Sequence, residues 1–400
     1  MLSPFFVALS GFLVINALLL PFLPQGSQRL TASSIQNSDL SDPMYGTWTW
    51  WMARGFVADE PAPIAVLGSS QMNAPAWAAD ATLLQRGVDC LLHRQILTLG
   101  QEIERCLGAE RRLAVANCAV QGGMASDYYM IERCLLRDER CPRLVVIGVS
   151  PRDFIDNKLP CASSTEVFRY FSRFVDPGEL AALAYTDPLG RLFGWLEWNL
   201  NELPLRRLNA VVQSRLSDGN GELQNRRGIN RPNNELLSAI YNDQQKVRVG
   251  QLVVPANMSP VFVDNSCEYT GRYRNPSPPS LPIQYAFFDQ LLADLHDKGI
   301  AVLVVGMPTT KRNRTLLPAA FWTSYENRLQ QMCSAKGASF VDLSGSVDFL
   351  QADYVDTVHL NDKGGRKLFV KIAELIASDQ RLATTLANRG TRIAGNATVK

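Results

Sequence analysis

Residues 353–368 read DYVDTVHLNDKGGRKL and hold Asp356 and, three residues on, His359. An imidazole with one nitrogen oriented by a carboxylate and the other open to a hydroxyl is what a general base for a serine nucleophile requires. Asn361 and Asp362 follow as candidate helix caps, and Leu368, Phe369, Ile372, Leu375 and Ile376 recur at helical spacing. The acid and the imidazole are therefore expected in a loop that enters a C-terminal helix. The chain has only three histidines. His93 falls in a leucine-rich stretch read as helical and His296 beside Asp297 and Lys298, so His359 is the candidate base.

A nucleophile must come from elsewhere in the chain. The apolar run at residues 64–67 ends in Gly68, Ser69 and Ser70, and a helical region is expected from there to about Leu107. Similar runs lie at residues 113–116 with Gly122 and Gly123 beyond, at 144–147 before Gly148, at 300–305 before Gly306, and at 340–343 ahead of the Asp/His loop. Five such strands, each expected to be buried on both faces and most separated by helical stretches, predict an α/β fold: a three-layer α/β/α sandwich around a parallel sheet. Ligands in open α/β sheets sit at the carboxyl ends of the strands. Ser70, Gly122, Ser150 and the Asp356/His359 loop each follow a different predicted strand, and are expected at one crevice.

The remaining chain sets the context. Residues 5–23 are almost wholly apolar and free of charge, long enough to span a bilayer as a helix. No Lys or Arg precedes Arg29, and the small-residue site near Gly26 and Ser27 is poor, which favours an uncleaved anchor over a cleaved signal peptide. The expected organisation is an anchor over residues 1–25, a tether over 26–60, one α/β domain over 61–380 and a fraying polar tail over 381–400. Trp48, Trp50 and Trp51 in the tether are expected to pack on the domain edge. Residues 155–282 break the strand pattern and read as a mostly helical insertion. Phe168, Phe171 and Phe174, then Leu192, Trp195 and Leu196, suit amphipathic helices, and 217–234 a polar loop. The insertion is expected to be packing surface or a lid, with a partner or membrane face as the alternative. A net charge of +2 with mixed signs offers no basic stripe for nucleic acid. The eight cysteines include no C-x-x-C pair or zinc spacing, so neither metal nor cofactor is expected. No Gly-x-Gly-x-x-Gly or Walker lysine loop follows a strand, which argues against a nucleotide site.

Taken together, GSS at 68–70, NCAVQG at 117–122, Gly148 and the Asp-x-x-His at 356–359 resemble the SGNH/GDSL hydrolase superfamily in that order. The likeness is nearest to membrane-anchored bacterial members related to the D-alanyl transfer protein of teichoic acid synthesis and to alginate O-acetyltransferases. It covers roughly residues 64–154 and 300–378 and leaves out the insertion. The resemblance implies a flavodoxin-like fold with a five-stranded parallel sheet. It assigns Ser70 as nucleophile, His359 as base, Asp356 as its orienting acid, and the amides of Ser70 and Gly122 as oxyanion donors. It further implies an acyl donor with a glycan acceptor or ester substrate, a membrane acyltransferase partner, and an extracytoplasmic site.

Two departures bear on this reading. Ser69 replaces the usual Asp before the nucleophile, and the third strand end lacks the family's oxyanion Asn, reading Gly148-Val149-Ser150-Pro151-Arg152-Asp153. Ser150 or Arg152 is the candidate replacement, and Arg152 is also a candidate substrate contact. An ion pair between Arg152 and Asp153 at the sheet edge is the plain alternative. Two function classes are compatible with these residues: a serine esterase or O-acyltransferase, and a non-catalytic scaffold that binds glycan or partner proteins.

Overall fold

The computed structural model describes residues 47–108, 113–159, 161–172, 174–185, 187–201, 250–257 and 261–387, with isolated positions between 10 and 18. Five parallel strands, β1 (Ile64–Leu67), β3 (Val115–Asn117), β4 (Leu144–Val149), β6 (Ala301–Gly306) and β7 (Ser339–Asp342), form one sheet in the order β3-β1-β4-β6-β7. The short strands β2 (Val88–Asp89) and β5 (Val253–Val254) pair antiparallel, apart from it. In the main sheet β1 aligns Ile64 with Val115 on one side and with Leu144 on the other. The chain thus leaves β1 in one direction and returns past it to β4, which makes the carboxyl end of β1 the switch point, the position at which open α/β sheets bind their ligands.

Alternation along the strands feeds two separate cores. Ile64, Val66, Leu144, Val146, Leu303 and Val305 face helices α2 (Ser70–Leu84), α3 (Leu97–Leu107), α13 (Asp362–Ser378) and α14 (Gln380–Ala387). Ala65, Leu67, Val145, Ile147, Val302 and Val304 face α1 (Thr47–Ala58), α4 (Ala125–Leu135), α10 (Leu281–Asp297) and α12 (Ala319–Ala335). Helices on both faces bury β1, β4 and β6 completely, which is why those runs are continuously apolar. The edge strand β7 is only half-buried, contrary to the expectation for all five.

Several boundaries differ from the sequence reading. Residues 47–58, read as tether, are helix α1, and Trp48 and Trp50 are buried as expected while Trp51 is half-buried. The helical region after Ser70 is two helices interrupted by β2, and His93 lies in the intervening turn, bonded to Asp80 at 2.7 Å. Residues 380–387, read as part of a fraying tail, are helix α14 because Leu382 and Leu386 bury against the sheet. The insertion supplies α5 (Arg152–Ile155) at its entrance, then α6 (Glu166–Ser172), α7 (Pro177–Ala184) and α8 (Pro188–Asn201), and α9 (Ser266–Arg272) on its return. Leu189, Leu192 and Trp195 of α8 are exposed. The polar loop over 217–234 and the last residues of the tail lie outside the described residues, as does most of the apolar segment 5–23. Among the described residues no helix is long and apolar enough to cross a membrane. All eight cysteines are free thiols, and Cys118, buried at the end of β3, is packing whose thiol burial pushes up to about 12.

Candidate active site

Ser70 is the first residue of α2, directly beyond β1. Ser69 caps the helix in extended conformation, and its carbonyl accepts from the amides of Met72 and Asn73 at 3.0 and 3.1 Å. A residue at this position keeps its own N–H outside the helical ladder, at the positive end of the helix dipole. The first turn of α2 is held close to the sheet by Met72. Side chains at Gly148 and Gly68 would each collide with it: a Cβ at Gly148 would stand 2.7 Å from Met72 Cε, and one at Gly68 2.9 Å from Met72 Cβ. The strand-end glycines therefore seat the helix that carries Ser70.

The end of β3 is tied to the same turn. Asn73 Nδ2 donates to the Ala119 carbonyl at 3.0 Å, and Asn117 Nδ2 donates to Asn73 Oδ1 at 2.9 Å. From there the chain reaches Gly122, whose φ of +66° is the left-handed conformation that favours glycine.

The acid and base sit in a closed turn after β7. Tyr354 and Leu360 bridge across it, and the Val355 amide donates to the His359 carbonyl at 2.9 Å. Asp356 Oδ1 accepts the amides of Val358 and His359 at 2.9 and 2.8 Å, which aims Oδ2 at the ring. His359 Nδ1 is 2.7 Å from Asp356 Oδ2, and His359 Nε2 is 2.8 Å from Ser70 Oγ. With Nδ1–H donated to the carboxylate, Nε2 is the acceptor for the serine hydroxyl. The structure thus joins the three residues predicted from sequence into one hydrogen-bonded chain.

Both ionisable members are largely removed from water, with side chains 13% exposed at His359 and 14% at Asp356. Burial pulls the imidazole pKa down, but the Asp356 charge and hydrogen bond outweigh it and leave His359 above its ordinary value, with Arg152 opposing slightly. For Asp356, burial pushes up, and the His359 charge with three hydrogen bonds brings the carboxyl below the usual range. The pair holds a carboxylate against an imidazole ready to accept a proton.

The acid–base turn is fixed to α2 through the start of α13. Asn361 caps α13 through its Oδ1, which accepts from Gly364 at 3.0 Å, and its Nδ2 donates to the Ala352 carbonyl at 2.7 Å. A Cβ at Gly364 would run into the Asp353 carbonyl, and one at Gly365 would lie 2.6 Å from the Pro75 carbonyl of α2. The paired glycines let α13 meet the serine helix backbone to backbone, setting the distance from His359 to Ser70.

At the end of β4, Ser150 and Arg152 are both buried, 1% and 5% exposed. The Ser150 amide donates to Asp153 Oδ2 at 2.8 Å. Arg152 donates from Nε to Asp156 Oδ2 at 3.0 Å and from Nη1 to the Gly123 carbonyl at 2.7 Å. Its nearest approach to Asp153 is 3.9 Å, so Asp156 is its main ion-pair partner. Burial raises the Asp153 carboxyl to about 6 against the Arg152 charge.

Sequence reasoning missed the contribution of the returning insertion. Asn265, just before α9, accepts the amide of Thr357 at 3.1 Å and also its hydroxyl. Thr310 takes the Thr357 carbonyl through its amide at 3.1 Å and its hydroxyl at 2.9 Å. Asn313 Nδ2, from the short helix α11 (Lys311–Arg314), donates to the Thr357 hydroxyl at 3.3 Å. At the far end of α9, Arg272 pairs with Asp156 and Glu268. One helix and its cap therefore brace both the acid–base turn and the Asp156 carboxylate that pairs with Arg152, a long-range link that no local spacing encodes.

Among the described residues no group of three or more His, Cys, Asp or Glu is placed to hold a metal ion. No protein-family model matches this chain, and no curated protein does either.

Proposed function

We propose that this chain is a serine esterase or O-acyltransferase of the SGNH type, working through Ser70, His359 and Asp356. The observation that carries the reading is the unbroken chain of contacts at 2.8 and 2.7 Å from Ser70 Oγ through His359 to Asp356. Its support includes the strand order, which in sheet terms is 2-1-3-4-5, and the placement of Ser70 at the switch point.

In the proposed reaction Ser70 Oγ attacks an ester carbonyl carbon while His359 Nε2 takes the hydroxyl proton. The carbonyl oxygen becomes an anion facing the amides of Ser70 and Gly122. Collapse expels the alcohol, which takes the proton from His359, and leaves an acyl group on Ser70. Water or a sugar hydroxyl then gives a proton to His359, attacks the acyl carbon and frees the serine, which regains its proton. The product is an acid in the first case and a new ester in the second. Asp356 holds the ring in the required tautomer and steadies its positive charge.

The proposed setting is the cell envelope. The apolar segment at residues 5–23 would anchor the chain, and the domain would work outside the cytoplasm on a polysaccharide or its acyl donor, with a membrane acyltransferase as partner. A binding scaffold needs a crevice but has no use for an aligned hydroxyl, imidazole and carboxylate. The test is incubation of the full-length protein with p-nitrophenyl acetate, with and without a soluble oligosaccharide, followed by peptide mapping. An acetyl group on the Ser70 peptide, discharged faster when oligosaccharide is present, is the result expected for a transferase. Discharge at one rate under both conditions marks an esterase, and absence of the acetyl group counts against both.

A further inference from the structure

The end of β4 poses a chemical problem for the proposed acyl transfer, because no asparagine stands there to complete the oxyanion site. We infer that Arg152 fills that role, so that the developing negative charge is met by a buried guanidinium beside Gly122 instead of by a neutral side-chain amide. This inference rests on the proposed serine chemistry and deepens it.

Three observations carry it. First, Arg152 is aimed. Its Nε is fixed by Asp156 and its Nη1 by the carbonyl of Gly123, the residue next to the proposed oxyanion amide. Second, its Nη2 faces Gly122: a Cβ placed on that glycine would lie 3.5 Å from Arg152 Nη2, with no other heavy atom of the described residues within 4 Å beyond Gly122 itself and its two chain neighbours. The space next to Gly122 is thus bounded by the guanidinium. Third, the other candidate is not fixed in this way: the Ser150 amide donates to Asp153, and the Ser150 hydroxyl, in a residue 1% exposed, has no hydrogen-bond partner among the described residues to orient it.

The arrangement is held from behind. Asp156 is fully buried and shared between Arg152 and Arg272, and Arg272 is clamped in turn by Glu268. Arg272 is accordingly a positioning residue: it acts on the site through Asp156 and Arg152. A charge fixed before the reaction starts, in a site shielded from water, needs little reorganisation when the oxyanion forms, which is the condition under which such a group lowers a barrier most. A guanidinium also offers its donors in a planar fork, so one edge can hold the Gly123 carbonyl while the other faces the reacting oxygen.

The test is the second-order rate of labelling by a fluorophosphonate, whose attack by serine builds negative charge on a phosphoryl oxygen in the same site. Wild type, Arg152→Met, Arg152→Lys and Arg272→Met are compared as full-length proteins, with melting temperature followed in parallel. Arg152→Met is expected to slow labelling on the order of 10²–10³-fold, the usual loss for one oxyanion donor. Arg152→Lys keeps a charge but cannot grip the Gly123 carbonyl and face the oxyanion together, and is expected to be slowed about tenfold or more. Arg272→Met strips Asp156 of a partner at the far side and is expected to slow labelling severalfold less than Arg152→Met. Equal losses in Arg152→Met and Arg272→Met would reduce Arg152 to a structural ion pair and overturn the inference. If Arg152→Met does not fold, Arg152→Lys decides, and labelling at the wild-type rate in that variant overturns it. A folded wild type that takes no label on Ser70 instead sinks the nucleophile reading, and the inference with it.

Discussion

Asn265 Oδ1 receives both the amide and the hydroxyl of Thr357, the residue immediately after Asp356. Thr357 is fully buried, and with Thr310 on its carbonyl every polar group it has is engaged. Asn265→Ala leaves two buried donors short of an acceptor, at an expected cost of about 1–3 kcal/mol. Because the same turn carries acid and base, p-nitrophenyl acetate turnover should fall about tenfold or more, as small misplacements of catalytic groups do. Asn265→Asp keeps an acceptor and should recover part of both. A lower melting temperature with unchanged turnover below it would limit Asn265 to stability.

Asp356→Asn removes the charge that lifts the His359 pKa while leaving burial to pull it down. Two effects are expected. Turnover drops on the order of 10⁴-fold, since an amide can hold the ring in the wrong tautomer. The pH at which residual activity appears also moves down. In wild type the base form of His359 is reached only above its raised pKa, so activity should rise with pH through a midpoint above the ordinary histidine value. A pH–rate profile in which the variant and wild type share one midpoint would contradict the assignment of Asp356.

Much of this site could be read from residue types, and the reasons are physical. Strands buried on both faces must be apolar throughout, so β1, β4 and β6 announce themselves, and tight exits from them leave Gly68, Gly148 and Gly306 as punctuation. Asp356 and His359 share one turn, and their relation is local. Asn265 and Arg272 gave no signal, because they reach the site only through the path of the insertion. Helix α14 was hidden for another reason: Leu382 and Leu386 bury between charged and polar neighbours, and two buried residues are too few to outweigh a polar composition.

Gly365→Ala tests how α13 sets the site. Its Cβ would lie 2.6 Å from the Pro75 carbonyl, a backbone atom that cannot swing aside. A destabilisation of about 1–3 kcal/mol is expected, the range for overpacking, together with a loss of turnover as His359 is pushed from Ser70. Gly271→Ala in α9 is the contrast. Its Cβ would meet only Lys158 Cε at 3.6 Å, so it should be neutral or slightly stabilising. Equal melting temperatures for the two variants would refute the close α2–α13 contact.

Asp127 predicts a pH dependence of stability. It is fully buried, bonds the Met124 amide at 2.8 Å and accepts the Thr165 hydroxyl at 2.5 Å, tying α4 to the residue that precedes α6. Burial pushes its carboxyl up to about 7. Between the unfolded value of about 3.9 and this folded value, the native state holds a proton that the unfolded chain has lost. The stabilisation from this group is therefore complete at low pH and is lost as pH rises through about 7. Asp127→Asn should flatten the melting temperature over that window; an unchanged slope would show that Asp127 is ionised throughout.

The most direct test of the central claim is fluorophosphonate labelling of the full-length protein, wild type beside Ser70→Ala and His359→Ala. Such a probe reacts with a serine made nucleophilic by its surroundings and requires no knowledge of the natural substrate. The account predicts a label on Ser70 in wild type, none in Ser70→Ala, and a rate reduced at least a hundredfold in His359→Ala, the low end of general-base contributions. A folded wild type that stays unlabelled, or one labelled equally with and without His359, would contradict it.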